Sequence, residues 1–238
     1  MEPTGQRVQR MFSSIAHRYD LLNHLLSLGI DRSWRRKAVA GLPAVRSGFY
    51  LDVATGAADV ALEISRRLPE AGRIVGIDFS FPMLRRGKEK VARSGRGNFI
   101  RLLYGDALHL PFADSVFDGI TIAFGLRNLT DPLRGVQEMA RVLKPGGRLA
   151  ILEFATPSRS WLRSLYLFYF LRLLPWVGGC ISGNPQAYRY LPESVLHFPE
   201  REALGGLFKE AGLEYVTYRN LTGGIAVLYS GSKPGDQQ

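Results

Sequence analysis

Between residues 49 and 154 the chain alternates short apolar runs with stretches of helical periodicity, and no other feature limits its fold as much. Phe49 to Val53 reads as a buried strand, Thr55 to Ala58 as a tight turn of small residues, and Asp59 to Arg67 as a helix. Arg73 to Asp78 is a second strand, followed by a helix over Pro82 to Lys90 with its proline in the first turn. Phe99 to Tyr104 and Phe117 to Ala123 read as further strands. Pro132 to Leu143 puts Leu133, Val136, Met139, Ala140 and Leu143 on one stripe of a helix, which Lys144-Pro-Gly-Gly147 stops. Arg148 to Phe154 then makes a fifth strand, and a helix near Glu200 to Ala211 precedes strands at Leu213 to Tyr218 and Gly224 to Tyr229. The expected fold is α/β: a Rossmann-like, mostly parallel seven-stranded sheet with helices on both faces, in one domain over residues 1–238.

Small residues after the first strand let backbone approach a ligand closely. Asp78 ends the second strand 22 residues after Gly56, near the spacing at which a strand-end carboxylate binds ribose hydroxyls. In Gly105-Asp106-Ala107, just past the third strand, Asp106 can accept from an adenine amino group. Asp52 in the first strand and Phe79 beside Asp78 complete this expected nucleoside site. A dinucleotide would need a glycine-rich turn with a helix N-terminus facing a pyrophosphate, and here the turn has only Gly56. Asp59, where the helix begins, would repel a pyrophosphate but tolerate a ligand carrying an ammonium and a sulfonium. Charge matching therefore favours S-adenosylmethionine. The plainer alternative makes Asp59 a helix N-cap and the small residues a close strand-to-helix turn.

Lys plus Arg exceeds Asp plus Glu by 31 − 21 = 10, an excess that suits nucleic acid, an anionic membrane surface or a simply basic protein. The lone cysteine, Cys180, allows no intramolecular disulfide, and no signal-peptide pattern is present, so a cytoplasmic location is expected. His17, His24, His109 and His197 are scattered without a cysteine cluster, and no Gly-x-Ser-x-Gly elbow occurs; neither a metal site nor a hydrolase is expected. Two segments stand outside the alternating pattern. Met11 to Val39 is helical and dense in Tyr, Asn, His, Trp and Arg. Ser160 to Cys180 is rich in aromatics, but Arg163 and Arg172 interrupt it, so it lacks the roughly 20 uncharged residues of a spanning helix. It reads as a core helix, a lid over an apolar substrate, or a surface resting on lipid with its arginines snorkelling.

The chain resembles the UbiE/MenG family of menaquinone and ubiquinone C-methyltransferases over nearly its whole length. The matching stretches are Phe12-Ser-Ser-Ile-Ala-His-Arg-Tyr-Asp20, Ser27-Leu-Gly-Ile-Asp-Arg-Ser-Trp-Arg35, Phe124-Gly-Leu-Arg-Asn-Leu-Thr-Asp131, Arg141-Val-Leu-Lys-Pro-Gly-Gly-Arg148, Tyr188-Arg-Tyr-Leu191 and Asn220-Leu-Thr-Gly-Gly224. The resemblance implies the class I methyltransferase fold, with a helical N-terminal cap over 1–45 and a helical lid over 155–198. It puts methyl-donor contacts at Ala57, Asp78, Asp106, Ala107 and Ala123. Thr or another small polar residue is usual where Ala57 stands, Gly where Ala58 stands and often Ser where Ala123 stands, so contacts there fall to backbone. The implied reaction methylates a ring carbon of a polyprenylated hydroquinone, most simply demethylmenaquinol. Arg127 and Asn128 carry the activation with Tyr19 nearby, Arg127 stabilising the phenolate rather than acting as a base. Asp131 is read as a helix cap. Peripheral contact with an anionic membrane is expected, nucleic acid is not, and a homodimer is left open. Weighed against this are a benzoquinol substrate, an RNA methyltransferase on the same fold, and an inactive subunit of a quinone-synthesising assembly.

Overall fold

The computed structural model describes residues 29–173, 192 and 194–235. Among them, β1 (Phe49–Val53), β2 (Arg73–Asp78), β3 (Ile100–Tyr104), β4 (Phe117–Ala123), β5 (Leu143–Phe154), β6 (Glu214–Leu221) and β7 (Ala226–Ser232) form one sheet in the order β3-β2-β1-β4-β5-β7-β6. The first five pair in parallel, and β7 lies antiparallel between β5 and β6. The helices are α1 (Ile30–Ala40), α2 (Asp59–Arg67), α3 (Phe81–Arg93), α4 (Pro132–Val142), α5 (Ser160–Phe168) and α6 (Glu202–Glu210). The mostly parallel seven-stranded expectation is met.

Burial on both faces is why the central strands read as continuous apolar runs. Successive side chains enter different layers, as a pleated strand requires: Leu51 and Val53 pack with Val136 and Met139 of α4 and Leu204 and Phe208 of α6. Tyr50 packs instead with Trp34 and Val39 of α1 and Val60 and Ile64 of α2. The winding direction reverses between β1 and β4, so a crevice opens at their carboxyl ends, where open α/β sheets bind ligands.

Several boundaries differ from the sequence reading. Lys144-Pro-Gly-Gly147 does follow the helix, but Leu143 is already extended and pairs with Phe117 before the register shifts to Gly119 and Arg148. The bulge is closed by Gly146, at φ 74°, whose N–H donates to Lys233 O at 3.0 Å, and by Lys144 Nζ on both Asp118 oxygens at 2.8 and 2.9 Å. A turn signal therefore became a bulge. The last two strands run three residues farther than their expected ends because they pair with each other along their full length. In the N-terminal helical segment, α1 begins after Gly29, which takes the left-handed conformation. Trp34 ties α1 to the sheet through an indole N–H donated to Thr222 Oγ1 at 2.8 Å. Of the aromatic segment, α5 and a π-helical turn over Tyr169–Leu173 are described.

Candidate active site

The turn between β1 and α2 is built from left-handed residues, with Ala54 at φ 50°, Gly56 at 55° and Ala58 at 66°. It is sewn to the end of β2: Thr55 N–H donates to Ile77 O at 3.0 Å, and Gly56 N–H to Asp78 Oδ2 at 2.7 Å. The other Asp78 oxygen accepts from Ser80 N–H at 2.8 Å. Burial pushes the Asp78 carboxyl above the usual carboxylate range, opposed by the N–H groups of Ser80, Gly56 and Phe79. A side chain at Gly56 would meet Met83 Cε at 3.2 Å, in a backbone conformation unfavourable to it.

Over this turn lies a cleft of about 640 Å³, counting the part open to solvent. Gly56, Asp78, Phe79, Asp106, Ala107 and Ala123 line it, as does Asn128. The residues fit a nucleoside. Each Asp78 oxygen accepts one of these amide bonds and has a second lone pair for a hydroxyl. At Gly105 a Cβ would strike Ile77 Cδ1 at 2.7 Å, so the wall there is bare backbone. Asp106 stands on the open side with its side chain 58% exposed, and its Oδ1 accepts from Leu108 N–H.

Two expected contacts lie elsewhere. Asp52 is buried beneath the turn, its oxygens accepting from Thr55 Oγ1 at 2.5 Å and Thr121 Oγ1 at 2.8 Å, and it does not line the cleft. Ala57 is buried against Met83 and is likewise not in the lining. Asp52 points into the layer between β1 and β4 from within the strand, and Ala57 turns inward in the strand-to-helix turn. Asp59 is neither an N-cap nor a cleft residue. Ala58 holds the cap position, and the Asp59 carboxylate pairs with Arg35 Nη1 at 3.3 Å and Lys90 Nζ at 2.5 Å, latching α1 and α3 to α2. Asp131 does cap α4, accepting from Arg134 N–H at 2.9 Å.

Arg127 and Asn128 sit on a short helical turn over Leu126–Asn128, directly after β4. Asn128 Nδ2 donates to Phe124 O at 3.3 Å. The Arg127 guanidinium is buried and does not line the cleft: Nη1 donates to Glu153 Oε2 and to Phe124 O, each at 2.7 Å, and the group lies 5.4 Å from the centroid of the Phe154 ring. Tyr19 lies outside the described residues.

Other lining residues were not singled out from the sequence: Ala54, Ile77, Ser80, Met83, Gly105, Phe124, Gly125 and Leu129. Ala54, Ile77, Ser80 and Gly105 flank expected residues and could have been added by adjacency. Phe124 and Gly125 open the Phe-Gly-Leu-Arg-Asn motif, whose signal was spent on its last two members. Met83 had no sequence signal and is reached only through helix packing. Phe124 holds a left-handed backbone at φ 58°, uncommon for a bulky residue, and stacks on Phe154 with centroids 4.3 Å apart.

A family model described as the ubiE/COQ5 methyltransferase family matches residues 1–233. This chain belongs to that family. A "Ubiquinone/menaquinone biosynthesis C-methyltransferase UbiE" of Geobacter sp. (strain M21) is 50% identical over 229 residues, covering 96% of this chain and 97% of its own. A "Demethylmenaquinone methyltransferase" of Thermus thermophilus is 49% identical over 224 residues, covering 94% and 100%. Among solved structures, a SAM-dependent methyltransferase from Aquifex aeolicus aligns with a TM-score of 0.61 at 23% identity, over 83% of this chain and 88% of that one. The cyclase SpnF aligns with a TM-score of 0.72 at 16% identity, over 98% of both. Membership of the family makes this chain an S-adenosylmethionine-dependent methyltransferase. The cyclase shows that the fold alone does not fix the reaction.

Asp52 yields a pH prediction. Burial lifts its carboxyl from 3.8 to about 6 against the lowering effect of Thr55, Thr121, the Ala61 amide and Arg35, so between those values the folded chain holds a proton that the unfolded chain releases. The stability linked to that proton is complete below 3.8 and lost as pH rises through about 6, a change of about 3 kcal/mol. Asp52→Asn should flatten this part of the profile in urea titrations from pH 4 to 7.5. Parallel profiles for the two proteins would show that Asp52 stays ionised in the fold.

Proposed function

We propose that the chain methylates a ring carbon of a polyprenylated hydroquinone, with demethylmenaquinol as its substrate. The observation that carries this reading is identity near one half, over almost the whole chain, to proteins named for that reaction, the Thermus thermophilus protein above and a 48% identical one from Deinococcus radiodurans. Because the Geobacter relatives are named for both quinones, a benzoquinol is the second substrate reading.

When bound, S-adenosylmethionine supplies an electrophilic methyl group on a sulfonium. Asp78 would hold the ribose hydroxyls, Asp106 the adenine amino group, and backbone at Gly56, Ala107 and Ala123 the remaining surface. The acceptor carbon is a poor nucleophile until a neighbouring hydroxyl loses its proton and the negative charge spreads into the ring. Arg127, permanently charged, would stabilise that phenolate, and Asn128 at the cleft would orient it or a water. The Arg127–Glu153 pair keeps the guanidinium fixed for this role at a small cost in mobility.

The substrate's tail demands access to lipid. Trp161, Leu165 and Phe168 follow one another at helical spacing along one face of α5 and are 65%, 61% and 64% exposed, while Tyr166 on the same helix is buried. Arg159, Arg163 and Arg172 are exposed in the same segment. No helix among the described residues is long and apolar enough to cross a membrane. We read α5 as a peripheral contact with anionic lipid that also roofs the acceptor side.

Three measurements bear on these assignments. Asp78→Ala should weaken binding of labelled methyl donor by about 1.5–3 kcal/mol, as lost charge-assisted hydrogen bonds do, and unchanged affinity in a folded variant removes Asp78 from the site. Demethylmenaquinol kept reduced should be methylated, with the rate rising with pH, whereas the oxidised quinone should give little product. Equal rates from the two redox forms would defeat carbon methylation through a phenolate. The protein should float with anionic liposomes at low salt and less so at high salt, and Trp161→Ser with Phe168→Ser should abolish flotation. Retention of the wild-type protein in the soluble fraction under every condition would leave α5 as an internal lid.

A further inference from the structure

Tyr166 is an anomaly in the described core. Its side chain is 7% exposed, yet its hydroxyl oxygen is buried with no hydrogen-bond partner among the described residues. Buried polar groups are nearly always paired, because an orphan forfeits its bonds to water without replacement. The ring is not loosely held: it stacks on Phe170 with centroids 4.8 Å apart and planes at 22°. Burial raises the hydroxyl above the ordinary tyrosine value, with Arg127 and Glu200 close enough to act on it in opposite senses, so it keeps its proton and is available as a donor.

Arg127 carries a second orphan, its Nε, also buried and without a partner among the described residues. Its Nη1 is committed to Glu153 and to Phe124 O. The two unsatisfied donors thus belong to side chains within electrostatic reach of each other, one on α5 and one on the loop that follows β4. That loop also contributes to the methyl-donor cleft, since Phe124 and Asn128 line it. Two donors without acceptors, at the carboxyl end of the sheet and beside the donor cleft, call for an oxygen-bearing acceptor.

We propose that Tyr166 is a substrate-contacting residue whose hydroxyl donates a hydrogen bond to a ring oxygen of the acceptor, alongside the Nε–H of Arg127. The assignment rests on the hydroquinone reading above. It gives α5 two working faces: an exposed apolar face and an inner face that recognises the ring. It also accounts for the buried hydroxyl, because the partner arrives with the substrate.

Tyr166→Phe in the full chain is the test, since it deletes the hydroxyl and keeps the ring stack. Thermal stability should be unchanged or slightly higher, and affinity for labelled methyl donor unchanged, because the hydroxyl has no partner among the described residues. With reduced demethylmenaquinol, kcat/KM should fall on the order of tenfold to a hundredfold, the range for a hydrogen bond to a charged oxygen. Binding of reduced menaquinol, the unreactive product, should weaken similarly in a titration without methyl donor. Wild-type rates and menaquinol affinity in the variant would overturn the assignment, as would a clear loss of thermal stability, which would mean a structural partner for the hydroxyl. If the wild-type protein itself gives no product from any reduced demethylquinone, the hydroquinone reading fails and this assignment with it. A wild-type enzyme that turns over beside an equally active Tyr166→Phe fails the assignment alone.

Discussion

The cofactor side of the molecule depends on the Asp78 carboxylate, which is taken almost out of water and held by the amide N–H groups of Gly56 and Ser80. Burying a carboxylate is costly, and amide donors repay part of that cost only if the backbone around it is correctly shaped. Here the shaping is done by the left-handed residues Ala54, Gly56 and Ala58, which curl the turn after β1 so that Gly56 N–H meets the end of β2. The ligand-facing edge of one strand is therefore organised by its neighbour, and the cleft exists because β1 and β2 end in register.

A second buried charge system lies next to Asn128, which lines the cleft. The Arg127 guanidinium, the Glu153 carboxylate and the Phe154 ring pack together where β4 and β5 end. An ion pair with both side chains at 5% exposure or less gains little net stability over an apolar pair, but losing one partner would strand the other charge in the interior. Its value lies in position: it fixes the guanidinium while leaving Nε unspent. By contrast, the Asp59 cluster with Arg35 and Lys90 is partly solvated and joins elements far apart in sequence, so it serves to hold α1, α2 and α3 together.

Local pattern carried much of this protein. The bounds of β1, α2, β2 and β4 follow from apolar runs and the signals that end them, because strands buried on both faces have no freedom to be anything but apolar. That Asp78 and Asp106 line the cleft was legible as well, since strand ends in such a sheet open onto the crevice. The start of β5 and the far ends of β6 and β7 were not: Leu143 is drawn into parallel pairing with Phe117 across a bulge, and β6 and β7 extend each other as antiparallel partners.

The sequence alone determined the layered parallel sheet, two acids that line the cleft and, through its motifs, the family, because period-two and helical hydrophobicity and residue type at fixed spacing are local quantities. Only the tertiary structure decided which candidate residues face the cleft. Asp52 and Ala57 turn inward, Asp59 is drawn into an ion pair with two other helices, and Met83 and Phe124 reach the lining through packing. The direction of a side chain at a strand-to-helix turn depends on backbone dihedrals set by distant partners. The hydroxyl of Tyr166, without a partner among the described residues, is the clearest case: hydrogen-bond partners across the fold are not local quantities.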